Sequence, residues 1–172
     1  MASLIQKLVI VLDQENDAYS EMLEVSKQKT PVLVKGDLKQ LEKITDDEQI
    51  VVGKIKKLEK ERTGILTEIA NVVNRDVTTL KLVNIIEMLG KRPAEQKPLV
   101  EVHDKLTATV NEVRKVNEHN RALVTSALEM VTFNLNLIQA TKAAPETANY
   151  NKFAACSGSY MGTSYKSFDA SQ

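Results

Sequence analysis

From Leu4 onward, apolar residues return at spacings of three and four: Ile5, Leu8, Leu12, Tyr19, Met22. That spacing predicts one helix face running to about Lys29. Pro31 restricts Thr30 to extended backbone, so the helix is expected to end or kink there. The stretch "LVKGDLKQLEKITDDEQ", Leu33 to Gln49, then offers two restarts within seventeen residues. Gly36 suits a left-handed C-terminal cap, and Asp37 suits an N-cap for a short turn from Leu38 to Ile44. Thr45 and Glu48 have the spacing of a capping box, which predicts a second start. Together these signals read as a corner at which the chain folds back.

Beyond the corner, Val51, Ile55, Leu58, Ile65, Ile69 and Val72 mark a second long helix. Gly53 and Gly64 inside it are expected to mark close approach of a neighbouring helix. "NRDVTT", Asn74 to Thr79, breaks the pattern, and "LKLVNIIEMLG" predicts a helix of about three turns ended by Gly90. Pro93 and Pro98 frame the next start. From there to about Lys142 nothing argues for a stop, a run of roughly 65 Å at 1.5 Å per residue. Its seam keeps a seven-residue repeat through Leu99, Val102, Leu106, Thr109, Val113, Val116, Asn120, Leu123, Ala127, Met130, Asn134 and Leu137. Such a repeat predicts left-handed, coiled-coil-like packing against the first two long helices. The expected fold is all-α: an antiparallel bundle of long helices over 1–142. A flexible, low-complexity tail over 143–172 is expected after it, since Pro145 ends the periodicity and the remainder is rich in Ala, Ser, Thr, Asn and Gly.

Composition supports this picture. The 172 residues fit one domain. There is no Trp, and five of the seven aromatic residues lie in the last 23 positions. The expected core therefore has only Tyr19 and Phe133 beside Leu, Ile and Val. Lys plus Arg balances Asp plus Glu at 23 each, so no net field draws in nucleic acid or an anionic membrane. The basic run "KIKKLEKER" from Lys54 to Arg62 carries glutamates at helical spacing, as a solvated face with i,i+4 pairs would. A lone cysteine, Cys156, and the absence of a signal peptide or an apolar run of membrane-spanning length point to a cytoplasmic protein.

The chemistry of an enzyme is missing. There is no phosphate-cradling glycine loop and no nucleophile elbow. His103 and His119 lack the Glu-x-x-His spacing of a di-iron bundle, so they are expected to face solvent. Cys156 has no partner base. No catalytic residue, metal ligand or cofactor is assigned.

One segment asks for a partner. In "ALVTSALEMVTFNLNLI", Ala122 to Ile138, one stripe is the seam through Leu123, Ala127, Met130, Asn134 and Leu137. A second stripe, Val124, Leu128, Val131, Leu135 and Ile138, lies about 100° around the helix, and Phe133 widens the face further. Either the helix is central to its own bundle, or the fold covers one stripe and leaves the other for an incoming amphipathic helix. The candidate partner-binding residues are Leu123, Val124, Leu128, Met130, Val131, Phe133, Leu135 and Ile138. A self-associating structural coiled coil is the competing reading, and Asn120 and Asn134 in the seam leave homodimerisation open.

Three segments resemble the FlgN-type flagellar export chaperones: the corner "LVKGDLKQLEKITDDEQ", the connecting "VTTLKLVNIIEML", and "VNEHNRALVTSALEMVTFNLNLI" with Asn117 and Asn120 ahead of the apolar run. The resemblance spans roughly residues 1–142. It implies a cytoplasmic chaperone of the flagellar type III secretion system. Its clients would be the C-terminal segments of the hook–filament junction proteins FlgK and FlgL. It would hold them unassembled and deliver them to the export apparatus. It also implies that the C-terminal part of the long helix and the tail engage the client, which points to Leu123 through Ile138.

Overall fold

The computed structural model describes residues 2–76 and 80–142. Helix α1 spans Ala2–Lys35, α2 Leu38–Val73, α3 Leu82–Met88 and α4 Pro93–Lys142, with a 3-10 turn over Leu89–Lys91 between the last two. No strand occurs among the described residues, and the fold is all-α. The chain divides into two compact units between Val131 and Thr132. The tail expected over 143–172 lies outside the described residues.

The corner forms with fewer interruptions than its sequence suggests. Helix α1 runs through Pro31 to Lys35. Gly36 then takes the left-handed conformation at φ 68°. Its N–H donates to the carbonyl of Leu33 and that of Asp37 to Val32, at 3.2 and 3.3 Å, which is the Schellman arrangement. Asp37 caps α2 by accepting the Gln40 N–H at 3.1 Å. There is one restart, not two. Thr45 lies inside α2 with its hydroxyl donating back to the Leu41 carbonyl at 2.8 Å, and Glu48 faces Lys29 of α1 at 2.6 Å. Glu48 is thus taken by a neighbouring helix, and no capping box forms. Asn74, at φ 55°, ends α2 by a second Schellman pattern, with Arg75 donating to the Ala70 carbonyl at 3.0 Å.

The ties between helices fix their directions. Along α1, Glu15, Tyr19, Glu21 and Lys29 meet Arg62, Glu59, Lys54 and Glu48 of α2, so the two run antiparallel. Asp13, Asn16 and Thr30 of α1 meet Lys105, Thr109 and Asn120 of α4, so α1 and α4 run parallel. The bundle is up, down, up. Helix α3 sits in the connection from α2 to α4, where Gln96 donates to the Ile86 carbonyl at 3.0 Å. Lys54 and Arg62 of the basic run pair across to α1 and not along α2.

Two apolar clusters form the core. The larger joins Ile5, Leu8 and Leu12 to Ile65, Ile69, Ile85, Leu89, Leu99 and Leu106. The smaller, nearer the corner, comprises Ala18, Met22, Val51, Ile55 and Val113. Tyr19 packs on both, but Phe133 is exposed and adds nothing to either. Gly53 and Gly64 approach no neighbour: a Cβ at either position meets nothing within 4 Å. Gly90 does not cap α3 with a left-handed turn; it lies inside the 3-10 turn, and α3 itself is 7 residues long.

Candidate partner-binding surface

The seam of α4 is read out directly by burial. Leu99, Leu106, Val113 and Asn120 are buried at seven-residue intervals, and Val102, Thr109, Val116 and Leu123 between them are half-buried. Asn120 anchors the last contact: its Nδ2 donates to the Ser26 carbonyl at 2.8 Å, and its Oδ1 accepts the Thr30 hydroxyl at 2.7 Å. Only five residues of α1 remain beyond Thr30 before Gly36 turns the chain away. Because the two helices are parallel with the same rise per residue, α1 gives out level with about Thr125 of α4.

The apolar repeat of α4 does not give out there. From Val124 to Lys142 every residue is exposed. In the first unit this uncovers Val124, Leu128, Met130 and Val131. In the second unit, taken by itself, it uncovers Phe133 at 66%, Leu135 at 54%, Leu137 and Ile138. Within the first unit the seam was expected to stay covered through Ala127 and Met130 and is not, because α1 gives out level with about Thr125. Both stripes are exposed instead of one. Of the eight candidate residues, Leu123 alone is half-buried.

Of three buried polar layers, those of Glu15 and Asn16 escaped the sequence pattern. Glu15 is fully buried, with Oε2 accepting from Arg62 at 2.8 Å and Oε1 without a hydrogen-bond partner. Burial pushes its carboxyl above the usual range; Arg62 opposes that and the Glu59 charge adds to it. Burial likewise raises the Tyr19 hydroxyl, which donates to Glu59 at 3.3 Å. Asn16 accepts the Thr109 hydroxyl at 2.8 Å. The third layer is Asn120 with Ser26 and Thr30. A signal was present, since Leu8, Leu12, Glu15, Tyr19, Met22 and Ser26 continue one alternation of fours and threes. His103 is half-buried, with Nδ1 3.1 Å from Asp104, whereas His119 faces solvent as expected.

In the first unit the apolar repeat of α4 continues past the end of α1, and comparison with known proteins identifies the family. The model of the family described as FlgN protein matches residues 1–155. The chain belongs to the FlgN family. FlgN proteins are flagellar export chaperones, a chaperone family and not an enzyme family. No curated protein and no solved structure matches the chain. Among the described residues, no helix of this FlgN protein is long and apolar enough to cross a membrane.

Proposed function

We propose that this FlgN protein is a cytoplasmic chaperone that binds the C-terminal helices of FlgK- and FlgL-like hook–filament junction proteins. It masks the face by which they would assemble and delivers them to the export apparatus. The observation that carries this reading is the exposed apolar surface of α4, in the first unit at Val124, Leu128 and Val131 and in the second at Leu135 and Ile138. An amphipathic client helix laid there replaces the neighbours that α4 lacks, by the helix-in-groove mode. Burial of about 800 Å² per partner suits a standard specific interface.

The test is calorimetric titration of the full chain with the C-terminal peptides of its own organism's FlgK and FlgL. Leu128→Asp and Leu135→Asp should each abolish binding while helicity and melting temperature stay unchanged, because both side chains are more than half exposed. Normal binding by either variant removes that residue from the surface. The competing reading is a self-associating coiled coil that buries the same α4 surface in a homodimer. A mass that rises with concentration in sedimentation, without peptide binding, decides for it.

A further inference from the structure

We propose that residues 153–165 fold back on the end of α4 and cover its apolar surface in the second unit until a client displaces them. The occupant is thus a segment of this same chain, outside the described residues. This rests on the client-binding reading of α4 and adds the regulation of that site.

Charge marks the two segments as a pair. In a chain that is 27% charged, residues 130–141 are 12 in succession without Lys, Arg, Asp or Glu. Residues 153–165 are 13 in succession, and no other uncharged run exceeds 7. The first run holds Phe133, Leu135, Leu137 and Ile138, each at least half exposed. The second holds Phe153, Tyr160, Met161 and Tyr165, three of the chain's seven aromatic residues among them. Such side chains bring a large apolar area to a contact. An ionic partner finds no counter-charge on the first run and would lose its own hydration there, whereas a neutral aromatic segment meets no such cost.

The connection between the runs allows the return. It comprises residues 142–152 and includes Pro145. Extended, it spans about 36 Å, whereas Leu135 lies only about 10 Å back along the helix from Lys142. So short a tether holds the second run near α4 at an effective concentration on the order of millimolar. A contact too weak to form between separate molecules therefore forms within one. A run whose dissociation constant is tenfold below that concentration lowers the client's apparent affinity about tenfold.

Cys156, the single cysteine, lies within 153–165 and carries the probe. A nitroxide attached to it should broaden the methyl signals of Leu135, Leu137 and Ile138 in the full chain. F153S/Y160S/Y165S should restore those signals, and so should a saturating amount of the same junction-protein peptides. The triple variant should also bind the peptides about tenfold more tightly in calorimetry. Full-intensity signals in the natural chain, or unchanged peptide affinity in the triple variant, overturn the cover, while the client-binding reading of α4 stands. Weaker binding by the variant overturns it too, because the aromatic side chains then serve the client. Broadening that passes from spin-labelled chains to separately isotope-labelled ones assigns the contact to a second copy instead. If the natural chain binds neither peptide, the client reading falls, and broadening relieved by the triple variant still establishes the contact within the chain.

Discussion

Glu15 is the position at which burial and charge conflict most openly, and Glu15→Met tests which prevails. The side chain is 0% exposed, and one carboxylate oxygen has no partner. An unsatisfied buried acceptor costs about 1–3 kcal/mol. Filling the site with a methionine adds roughly 1.5–3 kcal/mol of apolar burial. Against this stands the lost bond to Arg62, about 1.5–3 kcal/mol for a charged partner. Removing one member of a buried ion pair usually costs more, about 3–5 kcal/mol, because the other charge is stranded. Here it is not stranded: Arg62 is 27% exposed and has Glu59 one turn behind it on α2. The net expectation is a stabilisation of about 1–2 kcal/mol, or roughly 3–6 °C in a chain of this size. The gain has a pH signature. The Glu15 pKa is raised in the folded state above 4.5. The natural chain is therefore favoured below that value and loses stability as pH rises through the folded pKa. Thermal melts followed by circular dichroism should show the variant's advantage growing as pH rises from below 4.5 through the folded pKa. A variant that melts well below the natural chain at neutral pH, or a difference indifferent to pH, refutes the reasoning: the ion pair then outweighs its burial.

Gly53→Ala and Gly64→Ala should each stabilise by about 0.5–1 kcal/mol in denaturant titration, since a helical glycine is replaced where a Cβ meets nothing. The double variant should show the sum, and a loss at either site would reveal a neighbour that the bundle geometry does not contain. Asp37→Ala should cost about 1 kcal/mol through loss of the N-cap, whereas Thr45→Ala should be within about 0.5 kcal/mol of neutral. Equal losses at the two positions would restore the second helix start that the fold denies.

The periodicity of threes and fours determined that the described chain is helical, where the long helices lie and that a corner folds α1 back on α2. Gly36 and Asp37 carried that corner in their own backbone chemistry, which is local and therefore legible. The ends of elements were less so. Thr45 and Glu48 have the letters of a capping box, but Glu48 meets Lys29 of another helix, and the Thr45 hydroxyl bonds within α2. Pro31 did not stop α1, because packing of Val32 and the tie of Thr30 to Asn120 hold the last turn in place. Burial was decided only by tertiary structure. Glu15 and Met22 lie on the same stripe of the α1 pattern, but only the placing of the neighbouring helices shows that the carboxylate is buried like the methionine. Along α4 the sequence repeats one apolar theme from Leu99 to Leu137, and nothing in those letters says where cover ends. That point is fixed by the length of α1 and by which of its residues stands beside Asn120, a relation between segments ninety positions apart. The sequence therefore determined that α4 is apolar over an unusual width. Only the packing of three helices decided that the part beyond Leu123 stays uncovered, because a stripe is a surface or a core according to what another helix reaches.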